Sequence, residues 1–248
     1  MNAEIQAPEV LLKFRRYGAT RRAIGKIIHW HYRLFEERRH DNSVVLERAG
    51  DFPLVVLPGV LNPRLARSGE FFASQLNAGL ITPGTEVLDM GTGSGVCAIA
   101  AARLARRVVA IDINHAAVRC ARINALINSL EDTIEVEQGD LFGPVTGRRF
   151  DVVLFNPPFL HGVPRNDADR AWRSTDVAER FAAGLAEHLT PAGCALIVLS
   201  TYGNADRFLE QLRRWRFDLT IVSMRAFVNE RLFLVKLRPP DVRGRQND

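Results

Sequence analysis

From Pro83-Gly84 onward the chain alternates two hydrophobic patterns. Short, nearly continuous apolar runs predict buried strands over 86–90, 107–112, 133–137, 150–155, 194–200, 218–226 and 231–237. Between them apolar positions recur every third or fourth residue, which predicts helices over 94–105, 115–129, 174–189 and 204–215. Strands alternating with helices imply a parallel sheet with right-handed crossovers and helices on both faces. The last two runs are joined only by Phe227 to Glu230, too short for a parallel crossover, so that pair is expected to be antiparallel. The expectation is a doubly wound α/β fold with a mostly parallel seven-stranded sheet and an antiparallel last strand.

Upstream the pattern differs. Val10, Leu11, Phe14, Tyr17, Ile24, Ile27, Ile28, Trp30, Leu34 and Phe35 stand mostly at helical spacing, broken around Gly18 and Gly25, and predict two or three amphipathic helices. Val44-Val45-Leu46 and Leu54-Val55-Val56-Leu57 around Gly50-Asp51 read as a hairpin. A loop from Leu57 to Pro63 and a helix over roughly 69–80 follow. The chain thus divides into a helical and hairpin extension over 1–56, a candidate substrate-recognition region, a main domain over 57–238, and a disordered tail over 239–248.

Composition narrows the class. At 248 residues and 47% hydrophobic, the chain can bury a full core. No run of 18 apolar residues exists, so no membrane span or membrane partner is expected. Residues 1–10 lack an apolar signal core, which argues against secretion. Cys97, Cys120 and Cys194 stand far apart without a CxxC or a His/Cys cluster. Neither a disulfide framework nor a metal site is supported, and a reducing cytoplasm is expected. The net charge of +5 is uneven, because residues 1–50 hold ten basic against six acidic side chains. That segment is either a solvated helix face or a patch that steers RNA or another polyanion.

The polar residues that end the strands carry the chemistry. Asp89 precedes Gly91, Thr92, Gly93 and Gly95, a turn that lets backbone approach a ligand. The third glycine comes one residue early for the GxGxxG of dinucleotide enzymes, and Asp89 would sit beside a diphosphate and repel it. A cationic amino acid or sulfonium suits that carboxylate better. Asp112, about 20 residues on, is placed to accept from ribose hydroxyls. Asp140 ends the third strand, placed to accept from an adenine amino group. Asn156-Pro157-Pro158-Phe159 ends the fourth, where two prolines stop the ladder and hold two acceptors, the Asn156 amide oxygen and the Pro157 carbonyl. Those acceptors suit a planar NH2 group. Each strand-ending acid taken alone also reads as an ordinary turn or helix cap.

The runs VLDMGTGSG, AIDIN, GDLF and NPPF resemble the class I S-adenosylmethionine-dependent methyltransferases, in the branch with an Asn-Pro-Pro-aromatic motif. Within it the chain is similar to the release-factor glutamine and the ribosomal RNA guanine-N2 methyltransferases. The segment Leu57 to Pro63 with Ser68-Gly69-Glu70-Phe71-Phe72 lies slightly nearer the RNA group. The resemblance covers about residues 57–237 and implies S-adenosyl-L-methionine as cofactor. Asp89, Gly91, Thr92, Gly93 and Gly95 would hold its methionine part, Asp112 with Ile113 its ribose, and Asp140 with Leu141 its adenine, beside Asn156. Asn156 and Pro157 would accept from the target NH2, and Phe159 would pack on its plane. The acceptor is left open between RNA guanine, protein glutamine and a small-molecule amine, as is a module that binds the cofactor without catalysis. Other candidates carry a bland explanation beside the functional one: His161 as a proton relay or an ordinary loop histidine, His29 to Tyr32 as a ring-rich patch or helix packing, Cys97 as packing. The polar stretch 162–175, with Arg165, Asp167, Asp169, Arg170, Trp172 and Arg173, is the next candidate for substrate contact.

Overall fold

The structure is a computed structural model and describes residues 43–166, 168–203, 205–228 and 230–240. The helices expected over 9–40, the His29 to Tyr32 patch, most of the basic segment and residues 241–248 lie outside the described residues.

The hairpin forms as expected, from β1 (Val45–Ala49) and β2 (Phe52–Val56), antiparallel, with Ala49 opposite Phe52. Helix α1 follows (Ser68–Gln75). The alternating region then gives β3 (Glu86–Met90), α2 (Val96–Ala102), β4 (Arg107–Asp112), α3 (His115–Ile127), β5 (Ile134–Gln138) and β6 (Phe150–Phe155). Two short strands come next, β7 (Leu160–His161) and β8 (Arg173–Ser174), then α4 (Val177–Leu185), β9 (Leu189–Ser200), α5 (Ala205–Arg214), β10 (Asp218–Ala226) and β11 (Arg231–Arg238). No described helix is long and apolar enough to cross a membrane.

The main sheet has seven strands in the order β10-β11-β9-β6-β3-β4-β5. The ladders β9-β6, β6-β3, β3-β4 and β4-β5 are parallel, and β11 runs antiparallel to both β9 and β10. This is the doubly wound sheet with an antiparallel last strand that the pattern predicts. Strand order reverses between β3 and β6, so a crevice opens there at the strands' carboxyl ends.

Each face of the sheet is covered. Phe71 and Phe72 of α1 and the alanine-rich α2 pack with α3 against Val87, Val108, Val152 and Leu154. On the other face α4 and α5 bring Phe181 and Phe208 onto Phe155 and Phe142. The Phe155 and Phe181 rings lie 4.6 Å apart and Phe181 and Phe142 5.9 Å apart. The buried Phe155 therefore anchors the chain one residue before Asn156.

Helix α1 ends at Gln75 rather than near 80, and three further elements differ from expectation for identifiable reasons. Helix α2 begins at Val96 rather than 94, because Gly95 holds φ +84°, which a side chain resists. Strand β9 begins at Leu189, since Phe150 pairs with Leu189 and Val152 with Cys194, leaving residues 190–193 as a bulge. Helix α4 starts three residues late because Arg173 and Ser174 are drawn into the ladder with β7, and the Ser174 hydroxyl accepts from the Val177 N–H at 3.1 Å.

One side chain ties the hairpin to the domain. The fully buried Asn124 of α3 accepts from the Val55 N–H (2.7 Å) and donates to the Val55 carbonyl (2.7 Å) and the Ser94 carbonyl (2.8 Å).

Candidate functional site

The crevice at the switch point is a cleft whose walls include Asp89, the glycine turn, Asp112 to Asn114, Gly139 to Leu141 and Asn156 to Phe159. All the strand-ending residues singled out in the sequence therefore meet in one place. Asn114 caps α3 by accepting from the Ala116 N–H and donates to the Gly59 carbonyl, both at 2.9 Å, which brings the loop after the hairpin into the wall.

The turn after β3 is built around two carboxylates. Asp89 is buried and accepts from the Thr92 hydroxyl at 2.6 Å. Burial pushes its carboxyl up to about 7, against the Thr92 hydrogen bond that pulls it down, with the nearby Asp112 adding to the rise. Asp112 accepts from the Gly93 N–H at its Oδ2 and from the Asn114 N–H at its Oδ1, both at 2.9 Å. Burial raises this carboxyl too, and the two backbone N–H groups with that of Ile113 hold it back. Among the described residues neither acid forms an ion pair. The buried Asp89 and the part-buried Asp112, without a cation beside them, leave the cleft short of positive charge, and a cationic ligand fits that shortage. Gly91 and Gly93 hold φ +65° and +57°, and a Cβ added at Gly93 would meet nothing within 4 Å. The turn is thus bare backbone facing the cleft.

Asp140 is placed differently from the other acids. It is half exposed, and its Oδ2 accepts from the Arg180 guanidinium at 2.7 Å, with Arg180 also beside Asp176. Leu141 next to it takes φ +49° and, with Arg180, lines the same end of the cleft. The Arg180 pairing has no local sequence signal, since 40 residues separate the partners.

Asn156 is the other pole. Its Nδ2 donates to the Ser68 hydroxyl at 3.1 Å, while its Oδ1 is buried with no hydrogen-bond partner. An orphaned buried acceptor costs on the order of 1–3 kcal/mol unless a ligand satisfies it. Phe159 is half-buried and presses against Gly203, where an added Cβ would fall 2.6 Å from the Phe159 Cβ. Ser68 and Arg180 line the cleft and were missed by sequence reasoning, as was Gly203, which backs Phe159.

The stretch after the motif is a strap over the cleft. The Leu160 N–H bonds the Trp172 carbonyl (2.8 Å) and the Gly162 N–H bonds the Ser174 carbonyl (3.2 Å). Pro164, Arg170, Trp172 and Arg173 line the cleft from this side. His161 instead faces a smaller groove, where the Arg207 guanidinium stands 3.1 Å from its Nδ1. Cys97 is buried, its thiol 3.9 Å from the Gly69 carbonyl, and burial pushes its pKa up, away from nucleophile chemistry.

The residues fit S-adenosylmethionine. The two unpaired carboxylates suit its cationic methionine and sulfonium part, and the bare glycine turn admits it closely.

A family model described as the methyltransferase small domain matches residues 52–215. A putative protein N5-glutamine methyltransferase of Methanocaldococcus jannaschii is 30% identical over 159 residues, which cover 60% of this chain and 79% of that one. The ribosomal RNA small subunit methyltransferase C of Alcanivorax borkumensis is 35% identical over 158 residues, 63% of this chain and 45% of that one. Among solved structures, a ribosomal protein L11 methylase from Lactobacillus delbrueckii subsp. bulgaricus superposes with a TM-score of 0.54 at 18% identity, covering 78% of this chain and 98% of that one. The archaeal protein apart, the chain spans 24–55% of the length of the curated relatives compared with it.

Proposed function

The chain belongs to the methyltransferase small domain family, whose chemistry is S-adenosylmethionine-dependent, and we propose that it methylates a planar NH2 nitrogen, of RNA guanine or of a protein glutamine. The observation that carries this reading is the orphaned Asn156 Oδ1. With Nδ2 engaged by Ser68, Oδ1 is the amide end left without a partner, in a residue that lines the cleft. The Pro157 carbonyl follows in the same proline-stopped turn. Two acceptors match the two N–H bonds of an amide or aniline-like group and disfavour a carbonyl or carboxylate.

The bound cofactor would supply an electrophilic methyl on a sulfonium. Everything else is the work of this chain's residues. Asp89 would hold the cationic amino-acid part with the backbone of Gly91 to Gly93, Asp112 the ribose hydroxyls, and Asp140 with Leu141 the adenine edge. Asn156 Oδ1 and the Pro157 carbonyl would fix the NH2 hydrogens, favouring a pyramidal nitrogen with its lone pair aimed along one line. Orientation of that kind supplies several kcal/mol. The same two oxygens stabilise positive charge as it develops on nitrogen. The proton can leave after transfer, so no strong base is required beforehand. Phe159, held by Gly203, would cover the flat face of the acceptor.

Transfer of labelled methyl into separated RNA and protein pools of the source cell tests the reading. The wild type should label one pool. Asn156→Ala should lower turnover roughly 100-fold while cofactor affinity changes less than about twofold. Normal turnover in Asn156→Ala would refute the NH2-orienting role. Transfer to a metabolite pool instead would mark a small-molecule amine as acceptor, and cofactor binding without transfer to any pool would mark a binding module.

A further inference from the structure

The NH2 group that enters the cleft is the tip of a larger molecule, and a second hollow adjoins the place where it enters. Pro157, Pro158 and Phe159 line both the cleft and the groove that holds His161, so the proline-stopped turn is the wall between them. We infer that this groove is the backbone subsite of an RNA acceptor, in which Arg207 and His161 take one phosphate beside the methylated base. The inference rests on the NH2-orienting reading above and deepens it by choosing between its two acceptor classes.

Three observations carry it. Arg207, in the first turn of α5, places Nη1 3.1 Å from His161 Nδ1 and 3.2 Å from His161 Nε2. A guanidinium only donates, and a neutral imidazole has one nitrogen that accepts and one that carries a hydrogen. In either tautomer, one of these two contacts therefore sets donor against donor. An anion beside the pair relieves the conflict, because its oxygens accept from both groups. The second observation is charge. Arg173 and Arg180 across the strap pair with Asp169 and with Asp140 and Asp176, whereas Arg207 forms no ion pair among the described residues. Asp176, the acid on the groove's wall, is already engaged by the Ser174 hydroxyl at 3.2 Å and the Arg180 guanidinium at 3.6 Å. The third is position. His161 stands two residues past Phe159, on a strand fixed by the Leu160 N–H on the Trp172 carbonyl at 2.8 Å. The remaining wall, with Leu160, Val177 and Phe208, packs a sugar or an aliphatic side chain equally well. The cation decides between them. An RNA strand carries a phosphate at every residue, so one always adjoins the base. A segment around a glutamine has an anion there only by accident of its sequence.

The test reads binding as well as turnover. In the full chain with 15N-labelled histidine, the His161 ring signals are identified by their loss in His161→Gln. A short guanine-containing single-stranded RNA should shift them, and the same oligomer with neutral methylphosphonate linkages should leave them in place. Arg207→Gln should weaken binding of that RNA roughly threefold to tenfold at low salt, while the S-adenosylmethionine Kd stays within about twofold. It should also flatten the slope of log Kd against log salt by about 0.7, the loss of one phosphate contact on a single strand. Arg207→Lys keeps the charge and should recover most of that slope. Ring signals that ignore the RNA, or that move as far with the neutral oligomer, overturn the inference even if Arg207→Gln does not fold. So does an unchanged salt slope in Arg207→Gln. Methyl transfer confined to the protein pool overturns it and leaves the NH2-orienting reading standing. Normal turnover in Asn156→Ala overturns that reading instead, and the ring shifts and salt slope still decide whether the groove takes a phosphate.

Discussion

Cofactor affinity should depend on pH through Asp89, and the size of the effect follows from its surroundings. Burial at the end of β3 holds the carboxyl at about 7 instead of the ordinary 3.8. A cationic ligand needs the carboxylate. With a pKa of 7, roughly nine-tenths of the sites are ionised at pH 8 and one-tenth at pH 6, so Kd for S-adenosylmethionine should rise about tenfold over that interval. The sign for the ligand-free fold is opposite. The folded chain binds this proton more tightly than the unfolded one between about pH 4 and 7. Its contribution to stability is therefore lost as pH rises through that window, by about 4 kcal/mol in all. Asp112, also raised by burial, faces Asp89 from the next strand and titrates beside it, and the Cys97 thiol feels Asp89 from α2. Comparison with Asp89→Asn isolates one group, because Asp112 and the ligand's own amine titrate in both proteins. Calorimetry across pH 6–8 should give the tenfold slope in the wild type and a flatter, weaker curve in Asp89→Asn. Thermal melts of the ligand-free proteins should converge toward pH 4 and diverge above it, with the variant more stable. A wild-type Kd that does not move, or the same slope in Asp89→Asn, would refute the assignment.

Two further outcomes are expected. Asn124→Ala should destabilise the fold by roughly 2–4 kcal/mol, because it removes the partner of the Val55 N–H and a donor from each of the Val55 and Ser94 carbonyls at once; urea unfolding showing a loss under about 1 kcal/mol would contradict that. Gly203→Ala drives a Cβ into the Phe159 carbonyl and Cβ, so turnover should fall at least about tenfold while S-adenosylmethionine affinity holds; parallel kinetics and calorimetry check it, and equal losses in both would indicate general misfolding instead.

The strand ends were legible because each is a local event. Apolar runs stop at Asp89, Asp112, Asp140 and Asn156, and a parallel sheet delivers such stops to one edge whatever the sequence between them. The contacts that specify how those residues are held were not legible. Ser68 meets Asn156 across 88 residues, Asn124 meets Val55 across 69, and Arg180 meets Asp140 across 40. None of these pairs has a spacing rule, since their meeting depends on which helix covers which face. The start of β9 was hidden for a different reason. Thr190-Pro191-Ala192-Gly193 reads as a turn, yet it is a bulge that Gly193 permits, because an added Cβ there would stand 2.9 Å from the Phe150 carbonyl. The two-residue ladder of β7 and β8 is too short for any periodicity.

The place of β11 has a consequence for the order of assembly. Among the described strands of this sheet it is the last to be synthesised, yet it lies between β9 and β10 and pairs with the outer side of β9 from Ala195 to Ser200. On the ribosome, the sheet must therefore halt at β9 with the edge from Ala195 to Ser200 unpaired until Arg238 has emerged. At about 5–20 residues per second that wait lasts on the order of two to eight seconds. During it the chain presents an apolar, hydrogen-bond-hungry edge of the kind that recruits foreign strands. A ribosome stalled between residues 200 and 231 would hold an open sheet, whereas one stalled well past 238 would hold a closed one.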